Sequence, residues 1–353
     1  MSASSPPEPS SGKPPAPLSS SRATQGTRES VVIARGLTKR FGKFTAVDRL
    51  DLTIGKGEVV GFIGPNGAGK STTIRMLCAL LTPSAGAASV AGYDVASQPD
   101  SVRAHIGYMS QKFSLYDDLT CRENLQFFAG IYRVPRALLG ERMRFAIAMA
   151  GIEGREDALV RTLAGGWRQR LALGCAILHR PPVLFLDEPT SGVEPQARRR
   201  LWDLIHQLAG DGVTVLVSTH YMDEAEYCNR IALIDAGRLI TVGSPSELRS
   251  EQLGGRLFEL NCASLGEALA IVRTVPAVQD AAIFGDKLHV LVAETDDAPA
   301  ASVAASLPAR LAQAGIAAAA AQPIKPGLED VFVQLVSREN RRVASERMDG
   351  GAA

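Results

Sequence analysis

The residues with the plainest chemical purpose lie between Glu58 and Thr73, in the run EVVGFIGPNGAGKSTT. Gly64, Gly69, Lys70 and Ser71 satisfy G-x-x-x-x-G-K-[ST], the phosphate-binding loop, with Pro65, Asn66, Gly67 and Ala68 between them and Thr72 after. Glycines let the backbone fold back and turn its N–H groups inward, and the helix that follows adds the positive end of its dipole. Lys70 would reach the β- and γ-phosphates, and the Ser71 hydroxyl would hold Mg²⁺. The plain alternative is an ordinary glycine turn between a strand and a helix. Against it stands the context: Val59–Ile63 reads as a buried strand, and Lys70–Leu77 as a helix start. The implied ligand is a nucleoside triphosphate.

A second group of reactive side chains sits at strand ends. Val183–Leu186 is apolar and runs into Asp187 and Glu188, where a parallel α/β sheet presents ligand-binding residues. Beside a phosphate loop, Asp187 belongs on Mg²⁺ and Glu188 is placed to polarise a water. Val213–Ser218 is another apolar strand, ending in Thr219 and His220, and His220 could approach the γ-phosphate. His105, His179, His206 and His289 lack such placement and read as core or surface histidines. Leu163–Arg170, LAGGWRQR, carries Gly165 and Gly166 at a helix start. That pair either presents bare N–H groups to an anion or is a flexible cap. Phe41, in Lys39–Lys43, could stack on a base or belong to a satellite core.

The elements that must position these groups follow from composition and periodicity. At 353 residues, two domains plus tails are expected. The hydrophobic and charged shares, 46% and 21%, suit a soluble globular chain, and a net charge of +1 gives no electrostatic reason to expect nucleic acid. Residues 1–30 are Ser/Pro-rich and read as a disordered tail. From Val31 to Ile63 come short β-like runs, with another hairpin around Ala91-Gly92 and a strand over Ile106–Met109 that leads to Gln111. Residues 119–161 turn helical. The cysteines, Cys78, Cys121, Cys175, Cys228 and Cys262, are odd in number, lack metal-ligand spacing and read as reduced core fillers. No apolar run is long enough to span a bilayer and no signal core is evident, so a membrane role would come through a partner.

The order of these parts resembles the ATP-binding subunit of ABC transporters, over about residues 31–245. Residues 64–72 look like Walker A, Gln111 like the Q-loop, Leu163, Ala164, Gly165, Gly166 and Trp167 like the signature, 183–188 like Walker B, Ser191–Glu194 like the D-loop and His220 like the switch histidine. Phe41 matches the family's adenine-stacking aromatic. The resemblance implies ATP and Mg²⁺ as cofactors, with Ser71, Gln111 and Asp187 around the metal and Glu188, His220 and Gln111 as the catalytic group. Three positions depart from the pattern: Ala164 stands where Ser is usual, Trp167 where Gln is usual, and Glu194 where Asp is usual. The missing serine hydroxyl normally bonds the γ-phosphate held by the opposite subunit, a contact worth about 1–3 kcal/mol. With Lys70, Asp187, Glu188 and His220 in place, the change reads as tuning.

The fold expected is therefore α/β: a P-loop ABC ATPase core over 31–248 with an antiparallel β subdomain and a helical insertion at 119–161. A small α+β, ferredoxin-like domain over 255–336 follows, in a β-α-β-β-α-β order. A polar tail is expected over 337–353. This last domain resembles the C-terminal extension of the drug-exporter branch. The function so implied is an ATPase subunit that dimerises with a second copy or a related subunit and powers export through a separate integral-membrane permease, at the inner face of the cell membrane. The alternative is a soluble ABC ATPase acting as an ATP-gated interaction module; the tandem cassettes expected of the translation-linked kind are absent, since one cassette is present.

Overall fold

A computed structural model describes residues 29–111, 115–251, 254–294 and 299–349. The segment 1–28, read above as a tail, lies outside them. In chain order the elements begin with β1 (Ser30–Phe41), β2 (Phe44–Gly55), β3 (Val59–Ile63), α1 (Lys70–Leu77), β4 (Ala85–Val90), β5 (Tyr93–Asp94), α2 (Pro99–Ala104) and β6 (Ile106–Met109). There follow α3 (Cys121–Ile131), α4 (Arg136–Ala150), α5 (Gly165–Ile177), β7 (Val183–Asp187), α6 (Pro195–Gly210), β8 (Thr214–Thr219), β9 (Arg230–Asp235), β10 (Arg238–Gly243) and α7 (Pro245–Glu251). The chain closes with β11 (Gly255–Leu260), α8 (Leu265–Val272), β12 (Val278–Phe284), β13 (Lys287–Ala293), α9 (Ala300–Gln313), β14 (Gln322–Pro323) and α10 (Leu328–Asp349).

The central sheet has the order β10-β9-β3-β8-β7-β6, parallel except for β10. Its strands are apolar on both sides because both faces are covered. Val60, Phe62, Phe185, Leu216 and Ile234 face the antiparallel sheet β2-β1-β4-β5 and α1. Val59, Ile63, Leu184, Leu186, Val215 and Val217 alternate with them and meet α5 and α6, including the fully buried Trp202. The expected strands over 31–54 are two long ones, β1 and β2, whose pairing is interrupted by register shifts.

Within 119–161 the chain forms the helices α3 and α4. Thr120 accepts from the Glu123 N–H while Glu123 reaches back to Thr120, a capping box that starts α3. Gly151, at φ 60, ends α4. Leu163, Leu171, Cys175 and Leu178 share the same apolar cluster as Leu125 and Ile147, so α5 closes that core and the unit extends past residue 161. His179 is stacked on Tyr132, with ring centroids 3.9 Å apart, and bonds the Ile106 carbonyl at 3.0 Å. Burial lowers its pKa from 6.5 to about 4. The neutral ring is the folded form, so its contribution is complete above pH 6.5 and is lost as the pH falls through about 4. Urea midpoints should therefore drop between pH 7 and 4.5, and less steeply in His179→Gln; equal slopes would remove His179 from the acid response.

After α7 the chain forms a second antiparallel sheet, β12-β13-β11-β14, with α8 and α9 on one face. Ala317–Pro323 reads as a strand in sequence, yet only β14 and an isolated bridge from Ala318 to Cys262 form. The other face of this sheet is not free: Leu257 and Leu291 join the cluster built on Ile231 and Leu233 of the central sheet. Residues expected as a polar tail are helical through Asp349, and α10 brings Leu328, Val331 and Leu335 into that same cluster. His289 bonds Asp330 at 2.5 Å, pinning β13 to the start of α10. All five cysteines are buried and free. No helix among the described residues is long and apolar enough to cross a membrane.

Candidate nucleotide-binding site

Three glycine contacts shape the loop after β3. A Cβ on Gly64 would stand 2.1 Å from the Ile234 carbonyl oxygen, and one on Gly69 2.6 Å from that of Ala46. Gly67 and Gly69 lie at φ 82 and 102, and Gly69 caps α1. The turn between β9 and β10 clasps the loop from outside, where the Gly237 N–H donates to the Ala68 carbonyl at 3.0 Å. Only glycine allows backbone to approach backbone this closely.

Lys70 lies inside this loop. Its Nζ donates to the Gly64 and Pro65 carbonyls at 2.7 and 3.0 Å and stands 3.6 Å from a Glu188 oxygen. Burial lowers its pKa, opposed by the charges of Glu188 and Asp187. One residue on, Ser71 Oγ donates to Asp187 Oδ1 at 3.0 Å. Asp187 and Glu188 stand where sequence places them, at the end of β7. Glu188 is held at φ 49, a left-handed conformation that costs a non-glycine residue on the order of 1 kcal/mol or more and clusters at functional sites. That turn aims its carboxylate back towards Lys70.

Gln111 and His220 converge on the same group. Gln111 Nε2 donates to Glu188 Oε2 at 3.0 Å, and His220 Nδ1 is 3.5 Å from that oxygen. Gln111 thus meets Glu188, and no bond joins it to the Ser71–Asp187 pair. Ser218 was missed in sequence. Its hydroxyl donates to Asp187 Oδ1 at 2.7 Å and accepts from the Glu188 N–H at 3.0 Å, holding both acids at once. A buried serine in an otherwise apolar strand, two residues before His220, is the signal that could have found it.

Other predicted residues lie elsewhere. Phe41 ends β1 opposite Phe44, half exposed, with Lys39 over its ring at 5.3 Å. The same hairpin brings Ala46 against Gly69, so the ring stands on an element that touches the loop. Ala164, Gly165, Gly166 and Trp167 line a separate cleft of about 310 Å³ with Gly192, Val193 and Glu194. None of its lining residues comes from 64–72. Trp167 is covered by guanidiniums, Arg170 at 4.2 Å and Arg155 at 5.0 Å from the ring.

The Ser71 hydroxyl and Asp187 carboxylate are adjoining hard oxygen donors of the kind Mg²⁺ takes beside phosphates. With a tightly turned glycine loop, a buried lysine and a carboxylate 3.6 Å from it, the residues fit a nucleoside triphosphate with its metal. Fold and site together define a P-loop nucleotide-binding protein.

A family model described as "ABC transporter" matches residues 47–191, and one described as "AAA domain, putative AbiEii toxin, Type IV TA system" matches 168–222. The chain is 35% identical over 315 residues to the "Nod factor export ATP-binding protein I" of Ralstonia nicotianae, covering 88% of this chain and 95% of that one. It is 33% identical over 310 residues to the "Linearmycin resistance ATP-binding protein LnrL" of Bacillus subtilis, covering 87% and 99%. Against the "Probable multidrug ABC transporter ATP-binding protein YbhF" of Escherichia coli it is 46% identical over 223 residues, 63% of this chain, and spans 39% of that relative's length. Among solved structures, an "ATP binding subunit of ABC transporter" superposes with a TM-score of 0.57 at 29% identity, over 62% of this chain and 92% of that one. A dimeric ATP-binding cassette bound to ADP and Pi superposes at 0.56 and 27%, over 60% and 98%. The chain belongs to the ATP-binding proteins of ABC transporters.

Proposed function

We propose that this chain binds ATP with Mg²⁺, hydrolyses it as one of two paired ATP-binding subunits, and drives export through a separate membrane permease, to which it attaches at the inner face of the membrane. The observation that carries the reading is the convergence of Lys70, Gln111 and His220 on Glu188, one residue beyond the acid that bonds Ser71. The loop amides of 64–72 and Lys70 bind the β- and γ-phosphates, and Phe41 stacks on the base. Ser71 and Asp187 hold Mg²⁺, with Gln111 nearby; the metal, when bound, neutralises charge building on the phosphates. Glu188 accepts a proton from the attacking water, while Gln111 and His220 orient its carboxylate.

The signature cleft shares no lining residue with the 64–72 loop, which supports the reading that residues 163–167 serve the site of a second chain. A solved relative of this fold is a dimer, and relatives over nearly the whole length carry export and resistance names. The C-terminal sheet, read in sequence order 4-1-3-2 with two helices on one face, suits a ferredoxin-like domain.

Steady-state phosphate release by the purified chain, with and without a co-expressed permease, tests this reading. Stimulation by a co-purifying integral-membrane protein supports it; turnover with no such partner points to a soluble module. The signature change gives a further expectation. Ala164 precedes α5 at φ −63 and ψ 154, as a capping residue, but offers no side-chain acceptor or donor. Ala164→Ser should tighten ATP-dependent pairing by about 1–3 kcal/mol, read by sedentation-velocity dimer fractions at graded ATP. An unchanged dimer fraction would show that the two glycine amides suffice.

A further inference from the structure

The most deeply buried acid outside the site is Glu224, with no exposed surface. It lies in the helical turn Met222–Tyr227, just past His220. One oxygen accepts from Thr190 Oγ1 at 3.0 Å. The other faces Arg198 Nε at 3.5 Å, and neither of those two atoms makes a hydrogen bond. Thr190 and Arg198 bracket the D-loop turn, Ser191–Glu194: one stands immediately before it, the other in the first turn of α6. Both ends of that turn are thus gathered on a single carboxylate.

Arg198 also reaches the His220 side of the site. Its guanidinium lies 4.3 Å from the centre of the Tyr221 ring, and that ring is 4.1 Å from the His220 ring. A second contact runs from Arg198 to Asp223 at 3.4 Å. His220 in turn stands 3.5 Å from Glu188. On the opposite side, the buried Gln169 of α5 donates to the Ser191 carbonyl at 3.4 Å, so the signature helix touches the same turn. A charge pair this buried is costly to form and strongly destabilised when one member is lost, and its directional reach suits a registering role.

We propose that Glu224 and Arg198 are positioning residues that tie the D-loop turn to the His220 segment, so that seating the turn against a second chain fixes His220 in its place beside Glu188. The 3.5 Å separation between Arg198 and Glu224 is one short step from bonded contact; closing it draws the first turn of α6 towards the carboxylate and carries Tyr221 with it. This rests on the paired-subunit reading above. Neither residue belongs to the 64–72 loop or to the acids at the end of β7. Their effect is therefore on turnover and on cooperation between two sites.

The test compares wild type, Glu224→Gln, Arg198→Ala and Arg198→Lys for ATP binding to the isolated chain, kcat, the Hill coefficient for ATP, and Tm. Misplacing a catalytic group by about 1 Å costs about a hundredfold in rate, so Glu224→Gln and Arg198→Ala should lose about tenfold to a hundredfold in kcat. ATP affinity should stay within about twofold, the Hill coefficient should fall to about one, and Arg198→Lys should recover part of the loss. Unchanged kcat overturns the inference, as does a loss of kcat matched by equal losses of ATP affinity and Tm. Should Glu224→Gln or Arg198→Ala fail to fold, Arg198→Lys decides, since it keeps a cation beside the buried Glu224 carboxylate on a side chain that is 20% exposed: a kcat below wild type at unchanged Tm supports the inference, and a wild-type kcat overturns it. Glu188→Gln is the control: if it abolishes hydrolysis while Glu224→Gln and Arg198→Ala turn over normally, the coupling fails and the site reading stands. If wild type releases no phosphate either alone or with the co-expressed permease, both fall.

Discussion

Glu188→Gln is expected to stop steady-state turnover while leaving ATP bound and the paired form trapped. The substitution keeps size and lets an amide oxygen still accept from Gln111, which stands 3.0 Å away. What it removes is the charge that faces Lys70 at 3.6 Å and the ability to take a proton from water. General-base assistance alone contributes about 10²–10⁴-fold. The loop that grips the phosphates is untouched, because Lys70 and Gly64 bond each other without help from Glu188. Phosphate release should fall by that factor, and size exclusion with ATP should show a dimer that does not decay. Hydrolysis at the wild-type rate would take Glu188 out of the reaction.

Lys70→Ala should abolish ATP binding at concentrations that saturate wild type. The ammonium is buried beside Gly64 and Pro65, and burial already weakens its hold on the proton. Two charge-assisted bonds to phosphate, at about 1.5 kcal/mol or more each, correspond to about a hundredfold or more in Kd. Truncation also leaves the Glu188 carboxylate buried without its cation, which repels incoming phosphate. Isothermal titration with ATP measures the effect, and circular dichroism shows that the sheet survives. A Kd within about threefold of wild type would mean that the amides alone carry the affinity, contrary to the role given to the lysine.

The loop, the strand-end acids and His220 were legible because their chemistry is local: a glycine pattern, or an acid pair after a buried strand. Ser218 was not, since its role depends on β8 lying beside β7, a pairing between residues far apart in sequence. Gln111 was legible by position, but its bond to Glu188 comes only from β6 standing at the sheet edge next to β7. In the C-terminal half, element order was readable from hydrophobic alternation, and the segments α8 and β13 stand close to where the pattern places them. The fate of α10 was hidden. Its polar residues suggest a tail, while Leu328, Val331 and Leu335 find their apolar partners in another part of the chain. Spacing along a helix reports a stripe; it does not report what the stripe meets.

The shared cluster that joins Leu257, Leu291 and α10 to Ile231 and Leu233 packs the C-terminal module directly against the central sheet. β9, which carries Ile231 and Leu233, also pairs directly with the strand that feeds the phosphate loop. A chimera that exchanges C-terminal modules between relatives must therefore carry matching surfaces on both sides of that seam, or the mismatch will be felt at the nucleotide.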